Sequence, residues 1–95
     1  MEIAFDPDED AKNVRKHGFS LRFGAVVIVR AIFTVVDDRN EYGEARLKAF
    51  AMLDGDWHGC VYTMRGTAHR IISVHRVREK EVMRWRTTRP TSDRS

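Results

Sequence analysis

Polar and apolar residues alternate from Glu2 to Phe5, a run too short for anything but a strand or an extended arm. Asp6 and Pro7 end it and can begin a helix, because an N-cap aspartate accepts a backbone N–H and proline suits the first helical position. Asp8, Glu9 and Asp10 complement the positive end of that helix, Arg15, Lys16 and His17 complement its negative end, and Gly18 stops it. Ser20 can cap a second short helix over 21–28. Residues 32–36 are β-branched or aromatic and read as strand, and 37–43 form a polar loop. Three more strands are predicted over 44–53, 57–63 and 69–75, with short turns at 54–56 and 65–67. From 78 to 87 the Glu, Lys, Met and Arg content favours helix again. The pattern predicts one α+β domain over residues 1–88, with an antiparallel sheet of about four strands, two N-terminal helices and a C-terminal helix. The helices cover one face and leave the other wet. Residues 89–95 read as a flexible tail.

Ninety-five residues suffice for one thin core, and 42% apolar with 33% charged residues is an ordinary globular composition. No apolar run approaches the ~20 residues of a membrane helix, and the acidic N-terminus is unlike a signal peptide. Cys60 is the only cysteine, so no internal disulfide can form and a cytoplasmic, reducing location is expected. Charge sharpens the picture more than composition does. Residues 1–64 hold 8 Lys+Arg against 11 Asp+Glu, whereas residues 65–95 hold 9 against 3. Eight of those nine are arginines, whose planar fork matches phosphate. Nucleic acid and an acidic protein partner are both drawn by such a field.

In the strand over 44–53, Glu44, Arg46 and Lys48 fall on one face, either as a solvated row of cross-strand ion pairs or as a phosphate-binding row edged by a carboxylate. In the strand over 69–75, strict alternation sets His75 on the side opposite Arg70, so the two share a pocket only if a bulge breaks the alternation. His75 is the best titratable candidate, because imidazole exchanges protons near neutral pH. Arg70 and Arg76 must reach solvent or be paired, which makes them candidates for the edge of a site. Tyr42 and Trp85 either pack on the domain or stack on RNA bases, with core packing the first reading for Trp85. His17 is explained by its helix end. His58, His69 and Cys60 lack zinc-site spacing, Ser73 lacks a nucleophile-elbow turn, and no glycine-rich phosphate loop is present, so no metal or cofactor is expected.

Taken in order, several short motifs resemble the BrnT toxins of bacterial type II toxin-antitoxin systems. They are Phe5-Asp6, Lys12-Asn13, Lys16-His17-Gly18, Asp38-Arg39, Tyr42-Gly43-Glu44 with Arg46, Val61-Tyr62-Thr63, Arg65-Gly66, Arg70-Ile71-Ile72-Ser73, then Arg76, Glu81 and Trp85. The resemblance implies a RelE-like fold and a metal-independent endoribonuclease that arrests growth. It also implies a BrnA-like antitoxin that covers the toxin and contacts operator DNA, so that DNA is a partner only through the complex. The family's basic residues map to Arg46, Lys48, Arg70 and Arg76, while His75 stands where family members usually carry arginine. On this reading Glu44 or His75 is the base, and Arg46, Arg70 and Arg76 hold the phosphate. Tyr42, Tyr62, Lys48, Arg65, Arg78 and Trp85 contact RNA. The competing readings are a non-catalytic nucleic-acid-binding domain, and an antitoxin-binding protein with weakened nuclease activity.

Overall fold

The computed structural model describes residues 1–38, 41 and 43–88. The chain runs β1 (Glu2–Ala4), α1 (Pro7–His17), a 3-10 turn (Leu21–Phe23) leading into α2 (Gly24–Val29), then β2 (Phe33–Val36), β3 (Leu47–Leu53), β4 (Asp56–Arg65), β5 (Ala68–Arg76) and α3 (Glu79–Thr88). This is an α+β fold with a mixed five-stranded sheet and three helices. Strand order is β1-β5-β4-β3-β2, with β1 parallel to β5 and every other pair antiparallel. The four-stranded, purely antiparallel expectation is thereby corrected: the short N-terminal run is a fifth strand, beside the strand most distant from it in sequence. The sheet's third strand also begins later than expected, at Leu47, which leaves Glu44 and Arg46 on the approach to it. Among the described residues no helix is long and apolar enough to cross a membrane.

Local chemistry sets the helix ends as the sequence predicts. The Asp6 carboxylate accepts from the Asp8 N–H at 2.7 Å, and Gly18, at φ 82°, donates its N–H back to Val14. Asp10 then ties the helix to the next turn by accepting from Ser20 Oγ at 2.9 Å and from the Leu21 N–H at 2.6 Å.

Apolar residues are buried on both faces of the sheet. On one, Leu21 and Val27 from the helical turn and α2 meet Ala49, Cys60, Ile71 and Val74. Gly24 lets that helix lie close, since a Cβ there would come within 2.8 Å of Ile71 Cγ2. On the other, Val82 and Trp85 of α3 cover Phe50, Val35 and Val77. The face expected to be wet is therefore half covered, because Phe50 lies on it and needs a lid.

Beyond the three-residue β1, the open edge of β5 is satisfied by a side chain. Asn13, in the middle of α1 and only 6% exposed, donates from Nδ2 to the carbonyls of Val74 and Phe19, each at 2.8 Å. Its Oδ1 accepts the Val74 N–H at 3.2 Å. One amide thus takes the place of a strand residue, where an unpaired buried backbone group would be costly.

Candidate nucleic-acid interface

Register along β4 and β5 decides which side chains share a face. Thr63 is paired with Arg70 and Tyr62 with Ile71, but Val61 is paired with Ser73 and Gly59 with His75. Ile72 is thus an extra residue, a bulge that resets the alternation. Arg70, Ser73 and His75 consequently face the same way as Thr63, Val61 and Gly59, and the same way as Lys48, the partner of Val61 on β3. Strict alternation would have separated Arg70 from His75; the bulge brings them onto one face, roughly 13 Å apart along the strand. Gly59 lets neighbouring side chains close over this face: a Cβ there would come within 2.9 Å of Val77 Cγ2, 3.2 Å of Lys48 Cε and 3.5 Å of His75 Nε2.

Two charged clusters lie on or beside that face. At one end, Glu44 holds two arginines, Arg65 Nη2 at 3.3 Å and Arg46 Nε at 4.0 Å. With Arg70, Asp6 and Glu9 they line a depression of about 450 Å³. Each Glu44 oxygen faces a guanidinium, so this carboxylate is engaged in positioning the two arginines. At the other end, the Lys48 side chain is only 3% exposed, with Nζ 3.5 Å from Glu81 Oε2 and 5.2 Å from the centre of the Trp85 ring. The Trp85 indole N–H donates to the same Glu81 oxygen at 3.4 Å. Burial alone would raise the Glu81 carboxyl, but Lys48, the indole N–H and the field of His75 outweigh it and hold it below its ordinary value.

This lowered value has a pH consequence. A carboxyl whose folded pKa lies below its unfolded one adds stability that is full above the unfolded value and is lost as pH falls through the folded one. Glu81→Gln is therefore expected to flatten the loss of stability on acidification below about pH 4.5, as read from denaturant midpoints across pH. An unchanged acid limb would show that the Lys48–Glu81 contact contributes nothing to it.

His17, the last residue of α1, brings its ring to 5.2 Å from that of His75. Burial, and after it the charge of Lys16, lowers the pKa of His17. Between α1 and β5 lies a cleft of about 240 Å³ whose lining includes Lys12, Lys16, His17 and Ser73.

Other expected site residues lie elsewhere. Arg76 is paired with His58 and lies over the Phe19 ring at 6.0 Å, on the sheet face opposite His75. The expectation that it joins Arg70 is corrected, because the bulge that unites Arg70 with His75 excludes it. Arg78 lines a separate depression with Asp56, Trp57 and Arg76. Tyr62 is 7% exposed and Trp85 6%, so both rings belong to the cores and neither offers a face for stacking. Lys48 is likewise roofed by α3 rather than presented on a wet row. Tyr42 lies outside the described residues. The Cys60 thiol, fully buried, is pushed up to about 12 and is no nucleophile near neutral pH.

Sequence reasoning missed Asn13, His17 and Glu81 as organisers of this region. A polar residue on the inward side of an amphipathic helix was the available signal for Asn13, and the basic neighbours of His17 were the signal for a charged site rather than a helix end alone.

The family described as "Ribonuclease toxin, BrnT, of type II toxin-antitoxin system" matches the chain over residues 5–81. That span contains Glu44, Arg46, Lys48, Arg65, Arg70, His75 and Glu81. No curated protein matches the sequence.

Proposed function

Because this chain belongs to the BrnT family of ribonuclease toxins, whose members act with a cognate antitoxin, we propose that it cleaves RNA along the face shared by Arg70, Ser73 and His75. In-line attack of a ribose 2′-oxygen on its neighbouring phosphorus requires removal of the 2′ proton, stabilisation of charge on the phosphorane and a proton for the departing 5′-oxygen. His75 is the proton-transfer group in this reading, since Glu44 is engaged by two arginines. Arg70, with Arg46 and Arg65 set by Glu44, clamps the backbone beside the reactive phosphate. The fold is of the RelE-like kind, and the partner is a BrnA-like antitoxin. The observation that carries the reading is the bulge at Ile72, which gives a proton carrier and a phosphate clamp the same side of the sheet.

The test is cleavage of 5′-labelled single-stranded RNA by the partner-free protein in EDTA, beside a 2′-deoxy strand of the same sequence. Cleavage confined to the RNA is expected. Equal binding of both strands with no scission would replace this reading with a non-catalytic clamp. Arg70→Ala is expected to weaken binding similarly across sequences and to reduce the salt slope of log K by about 1, the signature of one lost phosphate contact. A salt slope unchanged in fluorescence-anisotropy titrations would take Arg70 out of the clamp.

A further inference from the structure

At the junction of α1 with β5 two imidazoles meet at 5.2 Å between ring centres. They come from elements far apart in sequence. Asn13 fixes their approach by bonding both the N–H and the C=O of Val74, the residue beside His75. Taking the ribonuclease reading above as its premise, we propose that His17 is a catalytic residue, the general base of RNA cleavage, and that His75 is the matching general acid.

The surroundings suit that division. Around His17 lie Lys16, Lys12 and Glu9 of its own helix and Ser73 and His75 of β5; Lys48 of β3 and Glu81 of α3 lie beyond His75. On the α1 side Lys12 is paired with Glu9 at 3.5 Å and Lys16 adds a further cation, which favours both a phosphate in the cleft and a neutral imidazole at His17. Burial and Lys16 both lower its pKa, so near neutrality the ring is in the form that can accept a proton. On the far side of His75, the Glu81 carboxylate, bonded to Lys48 and the Trp85 indole, is the negative charge that feels the field of His75. Each ring needs a heavy atom of the substrate within roughly 3 Å, and two rings this close can both serve one phosphodiester.

The step balances without a further reactant. His17 takes the proton of the 2′-hydroxyl as the 2′-oxygen forms its bond to phosphorus. The bond from phosphorus to the 5′-oxygen breaks, and that oxygen leaves with the proton from His75. The products are a 2′,3′-cyclic phosphate and a 5′-hydroxyl, with one proton moved from His75 to His17, and exchange with solvent resets the pair.

The experiment uses the full chain and a short RNA with one cleavable linkage, made with either oxygen or sulfur at the bridging 5′ position. A thiolate leaves without protonation, so sulfur removes the need for the acid and not for the base. His17→Ala and the bulkier His17→Gln are each expected to cleave at least about 100-fold more slowly on both substrates, with unchanged affinity for the 2′-deoxy strand. His75→Ala is expected to be slow on the oxygen substrate and to return to within about 10-fold of the wild-type rate on sulfur. Either His17 variant cleaving the oxygen substrate at the wild-type rate would overturn the assignment, as would rescue of the His17 variants by sulfur or failure of sulfur to rescue His75→Ala. If the wild type cleaves and only the His17 result fails, the broader reading stands; if the wild type cleaves neither substrate, both fall.

Discussion

His75→Ala is expected to lower RNA cleavage by roughly 10²–10⁴-fold while RNA affinity stays within a few-fold of wild type. The asymmetry follows from where the charge for binding sits. Arg46, Arg65 and Arg70 gather around Glu44 at one end of the face, and Lys12 and Lys16 line the cleft beside α1. Removing one imidazole leaves that field almost intact, whereas no other half-exposed residue on this face of β5 exchanges protons near neutral pH. His75→Arg installs a permanent cation without a proton carrier, so its rate should fall between those of wild type and His75→Ala. Single-turnover rates with labelled RNA, paired with binding to the 2′-deoxy strand, separate the two effects. A His75→Ala protein that binds RNA and cleaves it at the wild-type rate would remove His75 from the chemistry.

The largest loss of stability is expected from Asn13→Ala. The substitution removes the partner of the Val74 N–H and of the Val74 carbonyl, both buried, and one acceptor contact at Phe19. Leaving two buried backbone groups unsatisfied costs about 2–6 kcal/mol in total, at roughly 1–3 kcal/mol each. In a domain of this size that corresponds to a fall in the thermal midpoint of at least roughly 10 °C. Asn13→Asp keeps an acceptor for the Val74 N–H but turns a carboxylate oxygen toward two carbonyls, so it should also destabilise. Lys12→Ala, one residue away and exposed, should stay within about 0.5 kcal/mol of wild type. Calorimetry or denaturant melts of the three variants would check the ranking, and an Asn13→Ala midpoint equal to wild type would contradict the role given to this amide.

Those two residues also mark what the sequence could and could not disclose. Helix ends are local, so Asp6, Pro7, Gly18 and Ser20 announced α1 and the turn after it without reference to the rest of the chain. The turns at Gly55 and Gly66 likewise announced the hairpins β3–β4 and β4–β5. Pairing across the chain left no comparable signal. Nothing within Glu2–Ala4 says that it lies parallel to β5, and nothing within Asn13 says that its amide will complete the edge of that strand.

The bulge at Ile72 is the more instructive case. Arg70-Ile71-Ile72-Ser73 reads as a regular β-branched run, and period two carried through it separates Arg70 from His75. Only the register against β4 shows the extra residue. Conversely, the burial of Lys48 was legible in principle. Phe50 shares its face of β3 two residues on, and a strand face holding an exposed phenylalanine beside a lysine is a face waiting for cover. Trp85, whose core packing was the first reading, supplies that cover from α3, and Glu81 on the same helix supplies the counter-charge.

The most direct test of the account is the chemistry of the ends that the partner-free protein leaves on a single-linkage RNA in EDTA, read by mass spectrometry. Attack by the ribose 2′-oxygen predicts a 5′-hydroxyl on one fragment and a 2′,3′-cyclic phosphate, or the 3′-phosphate formed by its hydrolysis, on the other. A 5′-phosphate with a 3′-hydroxyl would mean that water, and not the 2′-oxygen, attacks phosphorus, and would contradict the account.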